Sequence, residues 1–308
     1  MLIDEAKPLN LSVIIPTLNA GPEFGLLLEK LKAQSLPPFE IIVADTSSDD
    51  GTAELARAAG CKVLMVMRET FDHGGTRNFA ARQAAGDALL FMTQDALPCD
   101  ERLLEELAGS LADPEVAYAY ARQVARPEAD VLERMSREFN YPERSLRKTR
   151  ADLERMGIKT FFCSNVCAAI RTDMFRKMGG FVQPTRFNED LFLAARCVLK
   201  GYAIAYNAEA KVLHSHNYSA AQQFKRFFDN GASMSEQEWI LPYTSVGKEG
   251  SRLVRAQAQA LLRTGKWLRI PGLVAENAAK LIGYKLGMNY RKLPALLQRR
   301  FSMYKPKG

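Results

Sequence analysis

Between Leu11 and Met92 the chain alternates four times between a short apolar run and a stretch with helical spacing. The runs are Leu11–Ile15, Phe39–Val43, Lys62–Met67 and Ala88–Met92. A helix carrying Leu26, Leu27, Leu28 and Leu31 follows the first. A second helix is expected from Thr52 to Ala59, stopped by Gly60. A third opens at His73-Gly-Gly-Thr-Arg-Asn78 and runs to about Ala85, where Gly86 ends it. This alternation leaves few choices. It calls for an α/β fold with a doubly wound, mostly parallel, Rossmann-like sheet flanked by helices. Ala88–Met92 is apolar throughout, as suits a strand covered on both faces. Ligands of such sheets sit beyond the carboxyl ends of the strands. The segments of interest are therefore Pro16-Thr17-Leu18-Asn19, the Asp45 loop and Thr93-Gln94-Asp95.

The second half is less regular. Val116–Val124 reads as a strand and residues 127–160 as a helix with a charged loop. Phe161–Ile170 is β-prone, and a helix starts at Asn188-Glu189-Asp190 and stops at Gly201. Tyr202–Tyr206 and Lys211–Leu213 read as two short strands before His214-Ser-His216. Helical patterning takes over from Ser219. Leu273, Val274, Ala278, Leu281 and Ile282 outline one amphipathic helix, and Leu293, Leu296, Leu297 and Phe301 another.

The net charge is +7, and it is unevenly placed. Residues 248–308 carry fourteen Lys and Arg against only Glu249 and Glu276, so the body is mildly acidic. A basic tail points to a polyanion or an anionic membrane surface. No nucleic-acid recognition motif accompanies it. The five cysteines form no Cys-x-x-Cys pair and read as core thiols of a reducing compartment. The first residues, Met-Leu-Ile-Asp-Glu, show no leader pattern, and no apolar run approaches a membrane span. The expected place is the cytoplasm, with the tail as a possible contact to the inner membrane face.

Four constellations carry chemistry. Asp45, followed by small residues at a strand end, can accept hydrogen bonds from a base or sugar; Asp49 and Asp50 read as helix caps. His73-Gly-Gly-Thr-Arg77 can present backbone N–H groups and a guanidinium to a phosphate, or be a plain turn. Asp95 with His214 and His216 can hold a divalent cation, or be a hydrogen-bonded surface cluster. Glu189 and Asp190 either complement a helix dipole or supply a general base, which the dipole would keep ionised.

Together, Val13-Ile-Ile-Pro-Thr-Leu-Asn19, Ile42-Val-Ala-Asp45 with its Ser-Ser-Asp-Asp-Gly-Thr52 continuation, Thr93-Gln-Asp95 and Asn188-Glu-Asp190 resemble family 2 of the inverting glycosyltransferases, which have the GT-A fold. Phe71-Asp-His-Gly-Gly-Thr-Arg-Asn78 and His214-Ser-His-Asn-Tyr218 resemble its rhamnosyltransferase branch, a likeness that Gln222 to Gly231 continues. The resemblance implies roles. Thr17, Asn19 and Asp45 would hold the nucleoside of a sugar nucleotide, with Gln94 as a further contact to the donor nucleotide and Arg77 at its diphosphate. Asp95 and His214 would bind Mg²⁺ or Mn²⁺. Asp190 would be the catalytic base, with Glu189, Arg196 and His216 at the acceptor or behind these groups. Thr93 stands where many members have a second Asp. The implied donor is dTDP-L-rhamnose, and the implied acceptor a glycan or lipid-linked oligosaccharide of a bacterial surface polysaccharide. A UDP- or GDP-hexose donor, or a non-catalytic binding scaffold, are the alternatives. Residues 1–218 would form the catalytic region, divided near residue 98 into donor and acceptor halves. Residues 219–308 would form a basic helical extension that lies on a membrane, packs on the body or pairs two copies.

Overall fold

The computed structural model describes residues 9–244 and 248–304. The first five residues, read above for a leader, lie outside them, as do Lys305 and Lys307 of the basic tail. The first half runs β1 (Leu11–Thr17), α1 (Glu23–Lys32), β2 (Glu40–Asp45), α2 (Thr52–Ala58), β3 (Lys62–Met65), α3 (His73–Ala81) and β4 (Ala88–Met92). The second runs β5 (Leu97–Pro98), α4 (Leu103–Ser110), β6 (Val116–Val124), α5 (Val131–Asn140), β7 (Leu146–Lys148), α6 (Leu153–Met156), β8 (Cys167–Arg171), α7 (Thr172–Lys177), α8 (Glu189–Leu199) and β9 (Ala203–Leu213). The tail adds α9 (Ala220–Glu236), α10 (Lys248–Arg263), α11 (Ile270–Met288) and α12 (Ala295–Phe301).

All strands join one sheet in the order β3-β2-β1-β4-β8-β6-β9-β5, with β7 on β9. The first four are parallel, as the alternation demanded. Beyond β4 the sheet is mixed: β8 runs antiparallel to both β4 and β6, and β6 and β9 are parallel. β9 is one strand, with a register shift opposite Ala121/Arg122 where the sequence suggested a gap between two strands. The β-prone run at Phe161–Ile170 pairs only from Cys167; Gly157–Phe161 is instead a short 3-10 helix. The buried Lys148 ammonium donates to the carbonyls of Lys159 and Phe162 and so holds that turn.

Successive strand residues point to opposite faces. Val13, Ile15, Leu90 and Met92 meet α1 and α4 through Leu27, Leu28, Leu104 and Leu107. Ile14, Leu89 and Phe91 meet α3, α7 and α8 through Ala80, Phe175, Phe192 and Val198. The two cores clamp the sheet and fix where its strand ends emerge.

The tail helices are packed, not pendant. Three glycines let α9 and α11 approach closely. A Cβ on Gly231 would lie 2.3 Å from the Tyr284 carbonyl, and one on Gly287 2.1 Å from that of Phe228. Asp229 then accepts from Ser302 Oγ and the Met303 and Tyr304 amides, and Tyr304 donates to the Phe71 carbonyl. Gln257 of α10 donates to the Leu132 carbonyl of α5. α11 differs from the expected one-sided amphipath. Leu273 and the glycines face inward, while Val274, Leu281 and Ile282 are exposed.

Candidate active site

The C-terminal ends of β1, β2 and β4 open toward one edge of the sheet. On β1, Thr17 donates its hydroxyl to Asp45 Oδ1 (2.8 Å). Asp45 is fully buried and also accepts from the Ser48 amide and hydroxyl. Asn19 has a left-handed backbone (φ 46°); its amide donates to Ser48 Oγ and its side-chain oxygen accepts from the Asp49 amide. Gln94 bridges across, accepting from the Leu18 amide and donating to the Leu18 carbonyl. Thr17, Asn19, Asp45 and Gln94 are thus brought together as a web that holds its own loops. Leu18 and Asn19 are the exposed members that can meet a ligand.

At α3 the sequence left a phosphate cradle and a plain turn open. The structure fills the cradle. Asp72 caps the helix by accepting from the Gly74 and Gly75 amides, and it also accepts from Thr185 N. A Cβ at Gly75 would fall 2.0 Å from Asp72 Oδ2. Glycine is needed there for the cap. Arg77 is likewise not turned to the solvent: it is 5% exposed, donates to the His73 carbonyl and lies 3.4 Å from Glu189 Oε1. Arg196 donates to the Met178 and Gly180 carbonyls, so it ties down that turn.

Glu189 and Asp190 open α8 after Asn188, whose φ of 65° turns the chain sharply. Asn165, just before β8, serves both acids: its amide donates to Asp190 Oδ2 (2.9 Å) and its side chain to Glu189 Oε1 (3.1 Å). Tyr118 fixes Asn165 by donating to its oxygen. Burial would raise the Glu189 pKa, but Arg77 and His73 outweigh it and hold the group below its ordinary value. Asp190 goes the other way. Burial and the Glu189 charge push it up to about 7, against the two backbone amides that favour its anion. The helix start was expected to keep Asp190 ionised; the neighbouring charge and the loss of water prevail. Part of Asp190 remains exposed.

The third group is Asp95, His214 and His216, whose ligating atoms all lie within 4.8 Å of one another. His216 Nε2 is 3.0 Å and His214 Nε2 3.5 Å from Asp95 Oδ2. The far side of His214 is decided by Gln123. Arg137 can only donate, so the Gln123 atom that it meets is the oxygen. That oxygen also lies 3.0 Å from His214 Nδ1, so Nδ1 carries the proton. Burial pushes the His214 pKa down despite Asp95, which leaves the ring neutral. Its Nε2 lone pair then faces a carboxylate oxygen, two acceptors with nothing between them to share. A cation between these atoms resolves the conflict, and the donor set of one carboxylate and two imidazoles fits a divalent metal. His216 therefore joins Asp95 and His214 directly, in the cluster that the sequence proposed for these three residues, where the resemblance left it at the acceptor or behind the ligands. Gln123, Asn165 and Tyr118 had no motif to reveal them.

Residues 12–179 match the Glycosyl transferase family 2 model. The chain belongs to glycosyl transferase family 2. It is a glycosyltransferase with the family's GT-A fold. It is 39% identical over 300 residues to the O-antigen chain rhamnosyltransferase RfbN of Salmonella typhimurium, covering 96% of this chain and 95% of the relative. It is also 39% identical to the O-antigen chain rhamnosyltransferase WbaN of Salmonella anatum, over 96% and 94%. Among solved structures, the mannosyltransferase PcManGT from Pyrobaculum calidifontis, in complex with GDP-Man and Mn²⁺, superposes with a TM-score of 0.65 at 19% identity. That match covers 92% of this chain and 88% of the other. The family 2 chain has, among its described residues, no helix long and apolar enough to cross a membrane.

Proposed function

We propose that this family 2 enzyme transfers L-rhamnose from dTDP-L-rhamnose to a hydroxyl of a glycan or lipid-linked acceptor in surface polysaccharide synthesis, with inversion. The observation that carries the sugar is the end-to-end likeness to two relatives named as rhamnosyltransferases. The observation that supports the chemistry is the pairing of Asp190, poised near neutrality, with the Asp95–His214–His216 cluster.

The residues act as follows. The Thr17–Asn19–Asp45–Gln94 web presents a fixed surface to the nucleoside, so little order is lost on binding. Asp190 takes the proton from the acceptor hydroxyl; a pKa near ambient pH suits that transfer. Asn165 aims the carboxylate through its amide. Arg77 neutralises Glu189, so that Glu189 raises the basicity of Asp190 without remaining an unpaired buried charge. Asp95, His214 and His216 would hold Mg²⁺ or Mn²⁺, which neutralises charge growing on a leaving diphosphate. The region 1–218 carries all these groups and is the catalytic unit of this reading, with residues 219–308 as its extension.

The extension suits an anionic lipid surface. Trp267, Leu268, Val274, Leu281, Ile282 and Leu296 are exposed, and Arg263, Lys266, Arg269, Lys285, Arg299 and Arg300 stand exposed among them. Apolar insertion and basic attraction together give stable interfacial binding. Trp267→Ser with Leu268→Ser should lower co-sedimentation with anionic vesicles and leave that with neutral vesicles low. Unchanged sedimentation contradicts the lipid contact.

Calorimetry with dTDP-rhamnose, UDP-GlcNAc, UDP-galactose and GDP-mannose, each with and without Mn²⁺, tests the donor. The expected result is metal-dependent binding strongest for dTDP-rhamnose. Preference for a UDP or GDP sugar overturns the donor, and binding of none overturns the nucleotide-sugar reading as a whole.

A further inference from the structure

A diphosphate in the cleft needs a protein cation, and Arg77 is closed within its pair with Glu189. Another guanidinium stands open. Arg226, in the second turn of α9, is half-buried between two rings. Its central carbon lies 5.2 Å from the Phe187 centroid and 5.4 Å from that of Tyr218. These rings flank the two chemical groups of the site. Phe187 lies three residues before Asp190, and Tyr218 stacks at 5.0 Å on His216, whose Nε2 is 3.0 Å from Asp95. The charge of Arg226 also reaches the buried side chains of His73 and Tyr141. Among the described residues Arg226 forms no hydrogen bond and no ion pair.

A partly desolvated guanidinium that lies against two aromatic rings has less freedom to lose than an exposed one. Its planar fork matches two phosphate oxygens. The ring stacking explains how it is held but leaves its N–H donors unanswered. We propose that Arg226 grips a diphosphate at the metal side of the cleft. The group is either the nucleoside diphosphate of the donor or the diphosphate of a lipid-linked acceptor. The assignment rests on the nucleotide-sugar reading above and adds to it the residue that takes Arg77's expected place.

The test uses the full chain and the nucleoside diphosphate that the donor panel selects, dTDP on the present reading. Calorimetric affinities for dTDP and for thymidine, with Mn²⁺, are compared for the unmodified protein, Arg226→Lys and Arg226→Gln. If the donor is gripped, Arg226→Gln loses about 10- to 100-fold in dTDP affinity, Arg226→Lys recovers part of it, and thymidine binding is unmoved. If dTDP affinity is unmoved but the KM for a lipid-diphosphate acceptor rises by a similar factor, the acceptor's diphosphate is the partner. Unmoved values for both, with or without a lowered unfolding temperature, overturn the proposal. A panel in which the unmodified chain binds no nucleotide sugar fails the underlying reading before any variant is made.

Discussion

The two sides of the cleft treat their polar groups in opposite ways. On the β1–β2 side, each Asp45 oxygen accepts a hydrogen bond, and Gln94 and Asn19 close onto backbone groups. On the α8–β9 side, charge is left in tension. Asp190 is pushed up to about 7 beside an ionised Glu189, and a neutral His214 turns a lone pair on Asp95. A saturated web makes a rigid seat; an unbalanced cluster has work left for a proton or a cation. The first side should therefore act on stability and donor KM, the second on kcat and metal.

The largest break is expected at Asp190. Asp190→Asn should cut turnover by about 100- to 10,000-fold while dTDP affinity stays close to that of the unmodified chain. Stability should move the other way. The native carboxyl holds its proton up to about 7, above its ordinary 3.8, so native stability falls as pH rises through that window. Asp190→Asn should then unfold at the same or a higher temperature at pH 8, and a clear fall there would contradict the tension described. Next in size is the metal cluster. Gln123→Leu frees His214 to change tautomer and should weaken Mn²⁺ binding by roughly 10- to 100-fold. Unchanged affinity in a calorimetric titration would remove Gln123 from that role.

Smaller effects belong to the web. Asp45→Ala leaves the Thr17 hydroxyl and the Ser48 amide without their acceptor and should cost about 1–3 kcal/mol in denaturant unfolding, with kcat nearly kept. A kcat loss to match Asp190→Asn would erase the contrast between the two sides. Smallest of all, Gln94→Ala should lower stability by about 1 kcal/mol and raise the donor KM modestly.

The contrast also marks what a sequence can disclose. The parallel half was legible because apolar runs and helical spacing are local signals; Ala88–Met92 and Val116–Val124 have the expected bounds. Asp45, Asp95 and Asp190 were legible because they sit at or just beyond strand ends, or at a helix start, within motifs. The state of those groups was not. Whether Arg77 faces a phosphate or Glu189, and whether a helix dipole or a neighbouring carboxylate governs Asp190, depends on contacts between distant segments. Arg77 is separated from Glu189, and Asn165 from Asp190, by stretches that no periodicity connects. The glycines of α11 show the same limit. No local pattern marks Gly283 and Gly287 as the seat of α9, and Val274, Leu281 and Ile282 before them face solvent.

The central claim is that burial and the adjacent Glu189 charge together raise the basicity of Asp190, and the pH dependence of sugar transfer tests the Glu189 share most directly. In the unmodified enzyme the rate at saturating donor and acceptor should rise as pH passes through about 7, where Asp190 loses its proton. Glu189→Gln removes the adjacent charge and frees Arg77, and both changes stabilise the Asp190 anion, so the rise should move to distinctly lower pH. A rise that stays in place in Glu189→Gln, or a rate in the unmodified enzyme that is flat across this range, would contradict the account.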